Sequence, residues 1–320
     1  MIPVGYHASH EQVPPDELLS LVRRAEHAGF AATMCSDHFH PWLEAQGQSG
    51  HAWCWLGSAL ATTALPFGVV TCPIGRYHPA VIAQAVATLA RMHGDRCWLA
   101  VGTGEALNEA ITGEWPRKDV RTRRLERAVD AIRRLWRGEL VDTRGDGLVV
   151  EQARLYTTPP APPKLFAAAL TPETARRVAR WADGLITVST ERAKQRDVIA
   201  AFRDGGGGDK PVYLQVKLAW ARDEADASRD AHAQWRANVL PARLSQELRS
   251  PAAFADAAAH VRPDDLGDAV RISSDLARHV DWLRQDIADG VDALYLHQVT
   301  RAQAAFIDAF GEHVLPELRR

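Results

Sequence analysis

The 320-residue sequence predicts an α/β fold of the (β/α)8 TIM-barrel type with a helical insertion late in the chain. Strand-like and helix-like segments alternate from end to end, and eight such pairs fit within the chain. This alternation is typical of a parallel sheet with helical crossovers. The doubly wound alternative usually has fewer strands and a glycine-rich first turn. The first turn here, His7-Ala8-Ser9-His10, has no glycine, so the barrel is preferred.

The eight predicted strands are short and apolar and are followed by polar residues, as buried parallel strands are. They cover residues 3–8, 32–36, 67–71, 97–101, 165–169, 185–188, 212–220 and 293–297. Apolar residues at helical spacing predict the intervening helices. These cover residues 14–30, 53–63, 79–92, 120–137, 172–182, 191–202, 275–287 and 302–318. We also expect a hairpin within 140–155 and a helical excursion over about 223–274, all in a single domain of residues 1–320.

Composition excludes several classes of function. The chain is 46% apolar and 24% charged with a formal net charge of -2, which argues against a nucleic-acid binder. It has no apolar run of about 18 residues that could span a membrane, and no visible signal peptide. The four cysteines lie far apart without a C-x-x-C pair, which favours reduced thiols over a disulfide frame or a zinc site. We therefore expect a cytoplasmic protein.

The richest stretch for chemistry follows the second strand, where an apolar run stops at Asp37, His38, His40 and Trp42. The carboxyl ends of barrel strands carry the active site. An acid beside an imidazole fixes its tautomer and can raise its pKa, which makes His38 a candidate general acid or base. His38 and His40 on a strand end would point the same way and form a metal pair. A metal-dependent TIM-barrel hydrolase is therefore the alternative from another class, although strands five and six lack the further histidines.

Two other regions carry candidate binding groups. In Gly102-Thr103-Gly104-Glu105 the glycines would let a flat ring approach the backbone, and Glu105 would face His38 across the mouth or simply cap the next helix. The segments Leu170-Thr171-Pro172-Glu173 and Ser189-Thr190-Glu191-Arg192 both open helices. Helix N-termini bind phosphate, but plain capping would look the same.

These motifs together resemble the luciferase-like superfamily of flavin- and deazaflavin-dependent oxidoreductases. The resemblance is closest to the branch of deazaflavin-dependent glucose-6-phosphate dehydrogenases. It covers nearly the whole length and is most specific over residues 32–110. The motifs that carry it are Ser36-Asp37-His38-Phe39, Pro41-Trp42, Arg76-Tyr77, Pro79-Ala80-Val81-Ile82-Ala83-Gln84-Ala85 and Gly102-Thr103-Gly104-Glu105-Ala106-Leu107-Asn108-Glu109.

The resemblance implies a role for each matching position. His38 would be the base on the substrate hydroxyl, Trp42 would stabilise the reacting intermediate, and Glu105 would donate a proton to the reduced ring. Glu11 and His40 would lie on the substrate side. Val69-Val70 falls where the superfamily often has a non-proline cis peptide that presses on the ring as a bulge. The positions implied for cofactor binding are Asp37, Val69, Val70, Cys72, Thr103, Gly104, Asn108, Ala169, Leu170, Ser189 and Thr190.

The sequence departs from this branch around the phosphates. Ala169-Leu170 stands where the branch has a Gly-Gly pair, and Glu191 replaces a lysine that grips the sugar phosphate. A carboxylate there would repel a dianion by more than ~1 kcal/mol if partly desolvated, so we do not expect a sugar-phosphate substrate. The altered loop resembles a subgroup that has returned to FMN.

The sequence thus favours an FMN-dependent oxidoreductase of the luciferase-like monooxygenase type that acts on a small organic substrate. The alternative in the same class is a dehydrogenase of a non-phosphorylated alcohol that uses the deazaflavin coenzyme F-420. The expected partners are the small-molecule substrate, a flavin reductase and a second copy of the chain in a homodimer, without nucleic acid or membrane.

Overall fold

The computed structural model describes residues 2–267 and 269–319, and its parallel strands close into the predicted barrel. The strands are β1 (Val4–Ala8), β2 (Ala32–Ser36), β3 (Phe67–Thr71), β4 (Cys97–Val101), β5 (Val141–Gly145), β6 (Leu148–Ala153), β7 (Leu165–Ala168), β8 (Leu185–Val188), β9 (Val212–Ala219), β10 (Arg271–Ile272) and β11 (Ala293–Gln298). The barrel order is β9-β11-β1-β2-β3-β4-β7-β8, and β8 pairs with β9 to close it. Strands β5 and β6 form the predicted hairpin, and β10 adds to the edge of β9.

Helices follow the barrel strands as crossovers. They are α1 (Pro15–His27), α2 (Ala52–Thr62), α3 (Pro79–His93), α4 (Ala106–Glu109), α5 (Lys118–Trp136), α6 (Pro172–Val178), α7 (Arg192–Phe202), α8 (Glu224–Trp235), α9 (Ala242–Ser245), α10 (Pro251–Ala257), α11 (Leu276–Ala288), α12 (Gln303–Ala309) and α13 (Leu315–Arg319). Proline at the first helical position starts α1, α3, α6 and α10, where its missing N–H is not needed. Within the residues that the structure describes, none of these helices is both long and apolar enough to cross a membrane.

Two predicted helices differ from the observed ones, one at its end and one in its middle. The predicted helix over 172–182 ends at Val178, and the one over 302–318 is divided by a π-helical turn over Phe310–Val314. The four consecutive glycines of residues 205–208 begin within a π-helical turn over Arg203–Gly207. These termini depend on capping and packing that periodicity does not encode.

Alternating strand residues divide the core into an outer and an inner part. Outward side chains pack under the helices in one large cluster, as strand geometry requires. Near the amino ends of their strands, Trp98, Phe166, Tyr213 and Tyr295 point inward, and we call these four the aromatic plug. The rings of Phe166 and Tyr213 stack with centroids 4.5 Å apart. The plug fills the lower barrel, so the open space lies at the carboxyl ends of the strands.

The helical excursion after β9 packs over one side of the barrel mouth. Its Phe254 is fully buried against Trp42, with ring centroids 5.1 Å apart. Gln234 of α8 donates to the carbonyl of Ala45 at 3.0 Å, and Gln46 donates back to the carbonyl of Gln234 at 3.0 Å. The excursion therefore holds the loop that follows β2.

Candidate active site

Inward side chains above the aromatic plug divide the mouth into two halves. The strands β3, β4 and β7 carry small or apolar residues there, which we call the apolar half: Val70, Ala100, Gly102 and Ala168. The opposite strands and their loops carry the polar half: His7, Glu11, His38, Gln215, Lys217 and His297. A flat surface of small residues suits a planar ring, and a Cβ placed on Gly102 would approach only Ala168, at 3.6 Å.

His38 is paired with Glu11 rather than with the neighbouring Asp37. Its Nδ1 lies 2.6 Å from Oε1 of Glu11, whose side chain is almost fully buried. Ser9 and Ser36 donate hydroxyl hydrogen bonds to the same carboxylate at 2.8 and 2.6 Å. Burial opposes charge on both partners, but the Glu11 charge raises the pKa of His38, and the His38 charge holds the pKa of Glu11 well below its usual range. Because Nδ1 is held by Glu11, Nε2 of His38 is the atom left for a substrate.

Asp37 is a structural centre of the mouth. Its Oδ2 accepts from Trp53 Nε1 at 3.0 Å and Thr71 Oγ1 at 2.8 Å. Its Oδ1 accepts from the Tyr77 hydroxyl at 3.3 Å and lies 3.2 Å from the Arg76 guanidinium. Both oxygens of this side chain are engaged by protein donors, and its contact with a cofactor stays a prediction. Arg76, Trp53 and Tyr77 were missed as its partners, since they lie on later elements.

Asn108 and His40 fasten the loop after β2 to α4. The Asn108 Oδ1 accepts from the backbone N–H groups of Phe39 and His40 at 2.9 and 3.1 Å. The His40 Nδ1 donates to the carbonyl of Leu107 at 2.8 Å. Asn108 therefore shapes the loop through its Oδ1. The cofactor contact of Asn108 and the substrate contact of His40 stay predictions.

The two histidines of the suspected metal pair are thus engaged in different directions. His38 is held by Glu11 and His40 by the Leu107 carbonyl. In the described part of the chain, no three His, Cys, Asp or Glu side chains converge as metal ligands would. The expectation that His38 and His40 point the same way is wrong.

Trp42 lies beside His38, as the sequence predicts. Its ring meets the His38 ring edge to face, with centroids 5.5 Å apart and an interplanar angle of 86°. The Phe254 ring also packs edge to face against the indole, with an interplanar angle of 89°. Trp42 therefore forms a firm wall next to the proton-carrying histidine.

Glu105 supplies the second acid of the mouth. It begins α4, but its side chain makes no capping hydrogen bond, so the capping interpretation is wrong. Its Oε2 is buried without a hydrogen-bond partner in the described structure. Burial raises the pKa of Glu105 to about 7, and the charges of His38, Glu109 and Glu11 also act on it. A buried carboxyl group that changes charge near neutral pH and has an oxygen without a protein partner fits a proton carrier.

The turn before Glu105 is closely packed. Gly104 has φ +72°, and a Cβ there would lie 2.6 Å from Glu109 Cγ and 2.8 Å from Cys72 Sγ. Thr103 accepts from Lys118 Nζ at 2.7 Å through its hydroxyl. Cys72 is buried, and burial raises the pKa of its thiol well above its usual value; its cofactor contact stays a prediction. The Glu109 carboxylate, which sequence reasoning missed, accepts from the backbone N–H of Arg76 at 2.6 Å.

The Val69-Val70 segment differs from its expected form. All peptide bonds among residues 2–267 and 269–319 are trans, and β3 pairs with β4 in unbroken register through Val69 and Val70. Val69 is fully buried on the outer face, whereas Val70 is partly buried among the inward residues. The predicted cis peptide and bulge are wrong, and of this pair only Val70 lines the mouth.

The two predicted phosphate loops are partly used by the sheet itself. The backbone N–H of Ala169 donates to the backbone carbonyl of Ile186 at 3.1 Å. The backbone N–H of Ser189 donates to the backbone carbonyl of Gln215 at 2.8 Å. Ser189 Oγ also accepts from the N–H of Lys217. Thr171 caps α6 through the N–H of Thr174. Donation to a phosphate from this region therefore rests on the segments at Leu170, which is half exposed, and Thr190.

Buried neutral histidines line the rest of the polar half. The rings of His7 and His297 lie 4.1 Å apart. His297 accepts from Gln215 Nε2 at 3.0 Å through Nδ1, which leaves Nε2 to donate to Gln12 Oε1 at 3.3 Å. Burial lowers the pKa of His7 to about 4 and that of His297 well below its usual value. Sequence reasoning placed these residues at strand ends but left them out of the site.

Known proteins are similar to this chain over nearly their whole length. The family model described as luciferase-like monooxygenase matches residues 2–293. F420-dependent glucose-6-phosphate dehydrogenases from Intrasporangium calvum and Beutenbergia cavernae are 34% and 33% identical, with 100% of this chain and 99% and 98% of theirs covered. An F420-dependent secondary alcohol dehydrogenase, solved with an F420-acetone adduct, is 31% identical with a TM-score of 0.93, and the alignment covers 100% of this chain and 99% of that one.

These full-length similarities, together with the parallel barrel, make the protein an oxidoreductase of a barrel family. The chain belongs to the luciferase-like monooxygenase family. The apolar half and the unpartnered Oε2 of Glu105 fit a flat redox ring and its protons.

Proposed function

We propose that this protein is an FMN-dependent oxidoreductase that exchanges hydride or oxygen with a small, non-phosphorylated organic substrate. The observation that carries the proposal is the pair of proton carriers around the apolar half of the mouth. His38 is held by Glu11 at 2.6 Å, and Glu105 keeps a buried oxygen free of protein partners.

The residues of the site divide the work between the substrate and the ring. His38 would take or return the proton of a substrate oxygen through Nε2, and Glu11 would stabilise the charged imidazole. Glu105 would exchange a proton on the ring side, where burial keeps part of it protonated near neutral pH. Trp42 and the excursion would exclude water from the space between them. The bound flavin would supply the redox chemistry itself.

Two features of this chain support FMN over the longer deazaflavin coenzyme. The backbone at Ala169 is committed to the sheet, and both following helices begin with acids, Glu173 in the first turn of α6 and Glu191 at the cap of α7. Coenzyme F-420 carries an anionic tail beyond its phosphodiester, whereas FMN ends at one phosphate. The Glu173 carboxylate would disfavour additional negative charges at this end of the strands, whereas Glu191 is paired with Lys194 at 2.8 Å.

The second candidate is a coenzyme F-420-dependent dehydrogenase of a non-phosphorylated alcohol. The similarity to full-length F420-dependent enzymes at 31–34% identity favours it. The chemistry of His38 and Glu105 would be shared, so the two candidates differ in the coenzyme rather than in the proton carriers.

Coenzyme binding separates the candidates. We expect the purified protein to be yellow or to become so with FMN, and to bind FMN more tightly than F-420 in a calorimetric titration. Exclusive binding of F-420 would support the second candidate instead. With the preferred coenzyme bound, His38→Asn and Glu105→Gln should each slow turnover by about 10²-fold or more without loss of coenzyme affinity. Unchanged turnover in both variants would contradict the proposed roles.

A further inference from the structure

Lys217 is a buried cation at the mouth that the proposed reaction does not use. It lies on the inward face of β9, above Tyr213 of the aromatic plug, and is only 9% exposed. Its Nζ donates to Oδ1 of Asn238 at 2.5 Å. Among the ion pairs of residues 2–267 and 269–319, none includes this ammonium group. A buried ammonium has three donors and needs charge compensation, and one neutral amide does not provide it.

The neighbouring groups do not compensate this charge either. His297, its partner across the sheet on β11, is neutral and has both ring nitrogens engaged by Gln215 and Gln12. The His297 ring lies 4.1 Å from the ring of His7, and burial lowers the pKa of His297 well below its usual value. The Glu11 carboxylate is already paired with His38. Among the described residues, the polar half therefore has a positive charge at Lys217 without an acidic partner, on the strand next to His297.

We propose that Lys217 and Asn238 form a subsite for a carboxylate group of the substrate. The inference rests on the proposed function, because the substrate's reacting carbon would lie next to His38. It identifies the substrate class as small hydroxy acids or the corresponding oxo acids. One carboxylate oxygen would pair with the ammonium and the other would accept from the Asn238 amide N–H.

The geometry favours a carboxylate over other groups. One cation and one neutral amide match a single negative charge, whereas a phosphate dianion would exceed the compensation available. An uncharged alcohol would leave the buried ammonium with its single neutral partner. Asn238 lies in the turn over Arg236–Val239 after α8, so the excursion would contribute directly to substrate choice.

A matched pair of ketones tests the subsite without turnover. Pyruvate and acetone differ in the carboxylate, and their binding to the protein with its coenzyme can be followed by calorimetry or tryptophan fluorescence. We expect pyruvate to bind at least 10-fold more tightly than acetone. Lys217→Met, which removes the charge and keeps the length, should remove at least 10-fold of pyruvate affinity and leave acetone binding within twofold.

The control is Lys210→Met. Lys210 also donates to a neutral oxygen, the carbonyl of Ala179 at 2.7 Å, but it precedes the amino end of β9. The Lys210→Met substitution should leave the affinities for pyruvate and acetone unchanged. Equal binding of pyruvate and acetone, or full pyruvate affinity in Lys217→Met, would overturn the subsite. If that variant does not fold, Asn238→Ala serves in its place, with an expected loss of at least threefold for pyruvate alone.

The test distinguishes this inference from the proposed function. Binding is measured without a chemical step, so a protein that binds pyruvate through Lys217 but shows no redox turnover would contradict the proposed function and retain the subsite. A protein that oxidises uncharged alcohols but ignores carboxylates would retain the function and contradict the subsite.

Discussion

At the scale of single residues, the proton chemistry of the mouth depends on partners that are distant in sequence. The acid next to His38 in the chain is Asp37, but the acid that holds its ring is Glu11, from the loop after β1. The sequence identified His38, Trp42 and Glu105 because reactive side chains cluster at strand ends. It could not assign their partners, because those depend on how the β1 and β2 loops meet after the barrel closes.

Removing the Glu11 charge should change the titration of His38. In Glu11→Gln the imidazole keeps the burial that lowers its pKa but loses the carboxylate that raises it. We expect the pKa of His38 to fall by about 1 unit or more, since an adjacent opposite charge has an effect of this size. NMR titration of the His38 ring measures it. The control is Glu44→Gln on the exposed surface, and an unchanged His38 titration in Glu11→Gln would contradict the pairing.

The Glu105 carboxyl should make stability depend on pH. Its pKa is raised from its ordinary value near 4.5 to about 7 by burial, so the unfolded state loses this proton first. The stability that the protonated form contributes is full below about pH 4.5 and is lost as the pH rises through about 7. Glu105→Gln should therefore stabilise the protein by up to about 3 kcal/mol at pH 8 but by less than about 1 kcal/mol at pH 5. Chemical denaturation at both pH values measures this, and a pH-independent difference would contradict the burial of the acid.

At the scale of elements, the barrel strands give a regular frame, and the segments that follow β2, β4 and β9 complete the site above it. Asn108 of α4 ties the loop after β2, and the excursion covers Trp42 through Phe254. The strands and most helices could be predicted, because their apolar period is local. The tertiary contacts of the excursion could not, because the contact between Trp42 and Phe254 joins segments more than 200 residues apart in the printed sequence.

Loss of the Asn108 acceptor should loosen the loop that carries His38. In Asn108→Leu two backbone N–H groups lose their partner, and the expected loss of stability is about 1–3 kcal/mol. Urea denaturation measures it, and His38 should also exchange faster between environments in NMR spectra. As a control, Thr122→Ala removes an exposed hydroxyl on α5 and should change stability by less than about 0.5 kcal/mol. An equal effect of the two substitutions would show that Asn108 does not support the loop.

At the scale of the whole molecule, the barrel depends on the aromatic plug. The short apolar strands of the sequence predict that side chains alternate between the inside and the outside of the barrel. They do not predict how the four aromatic rings pack against one another inside it. Gly68 shows why, since a Cβ there would lie 1.9 Å from Trp98 Cζ2. Gly68 leaves the space that the Trp98 ring of the neighbouring strand occupies. The residues next to Gly68 in the sequence do not show this requirement.

Gly68→Ala should therefore destabilise the barrel strongly. The added methyl group cannot fit unless Trp98 and the rings around it move, and overpacking of this kind costs about 1–3 kcal/mol or more. Gly57→Ala is the matched control, because Gly57 lies within α2 with nothing within 4 Å of its Cβ position. That change should raise stability by about 0.5–1 kcal/mol. Thermal unfolding of both variants checks the pair, and equal melting temperatures would contradict this account of the plug.

The aromatic plug also determines the order in which coenzyme and substrate would bind and leave. Because Trp98, Phe166, Tyr213 and Tyr295 fill the lower barrel, a coenzyme seated on the apolar half would enter and leave through the mouth. A substrate bound above the coenzyme would then block its exit. The coenzyme would therefore bind before the substrate and leave after it. A saturating small ketone should slow the release of the coenzyme at least severalfold, as followed by its fluorescence. Release at an unchanged rate would mean that the coenzyme has a second route.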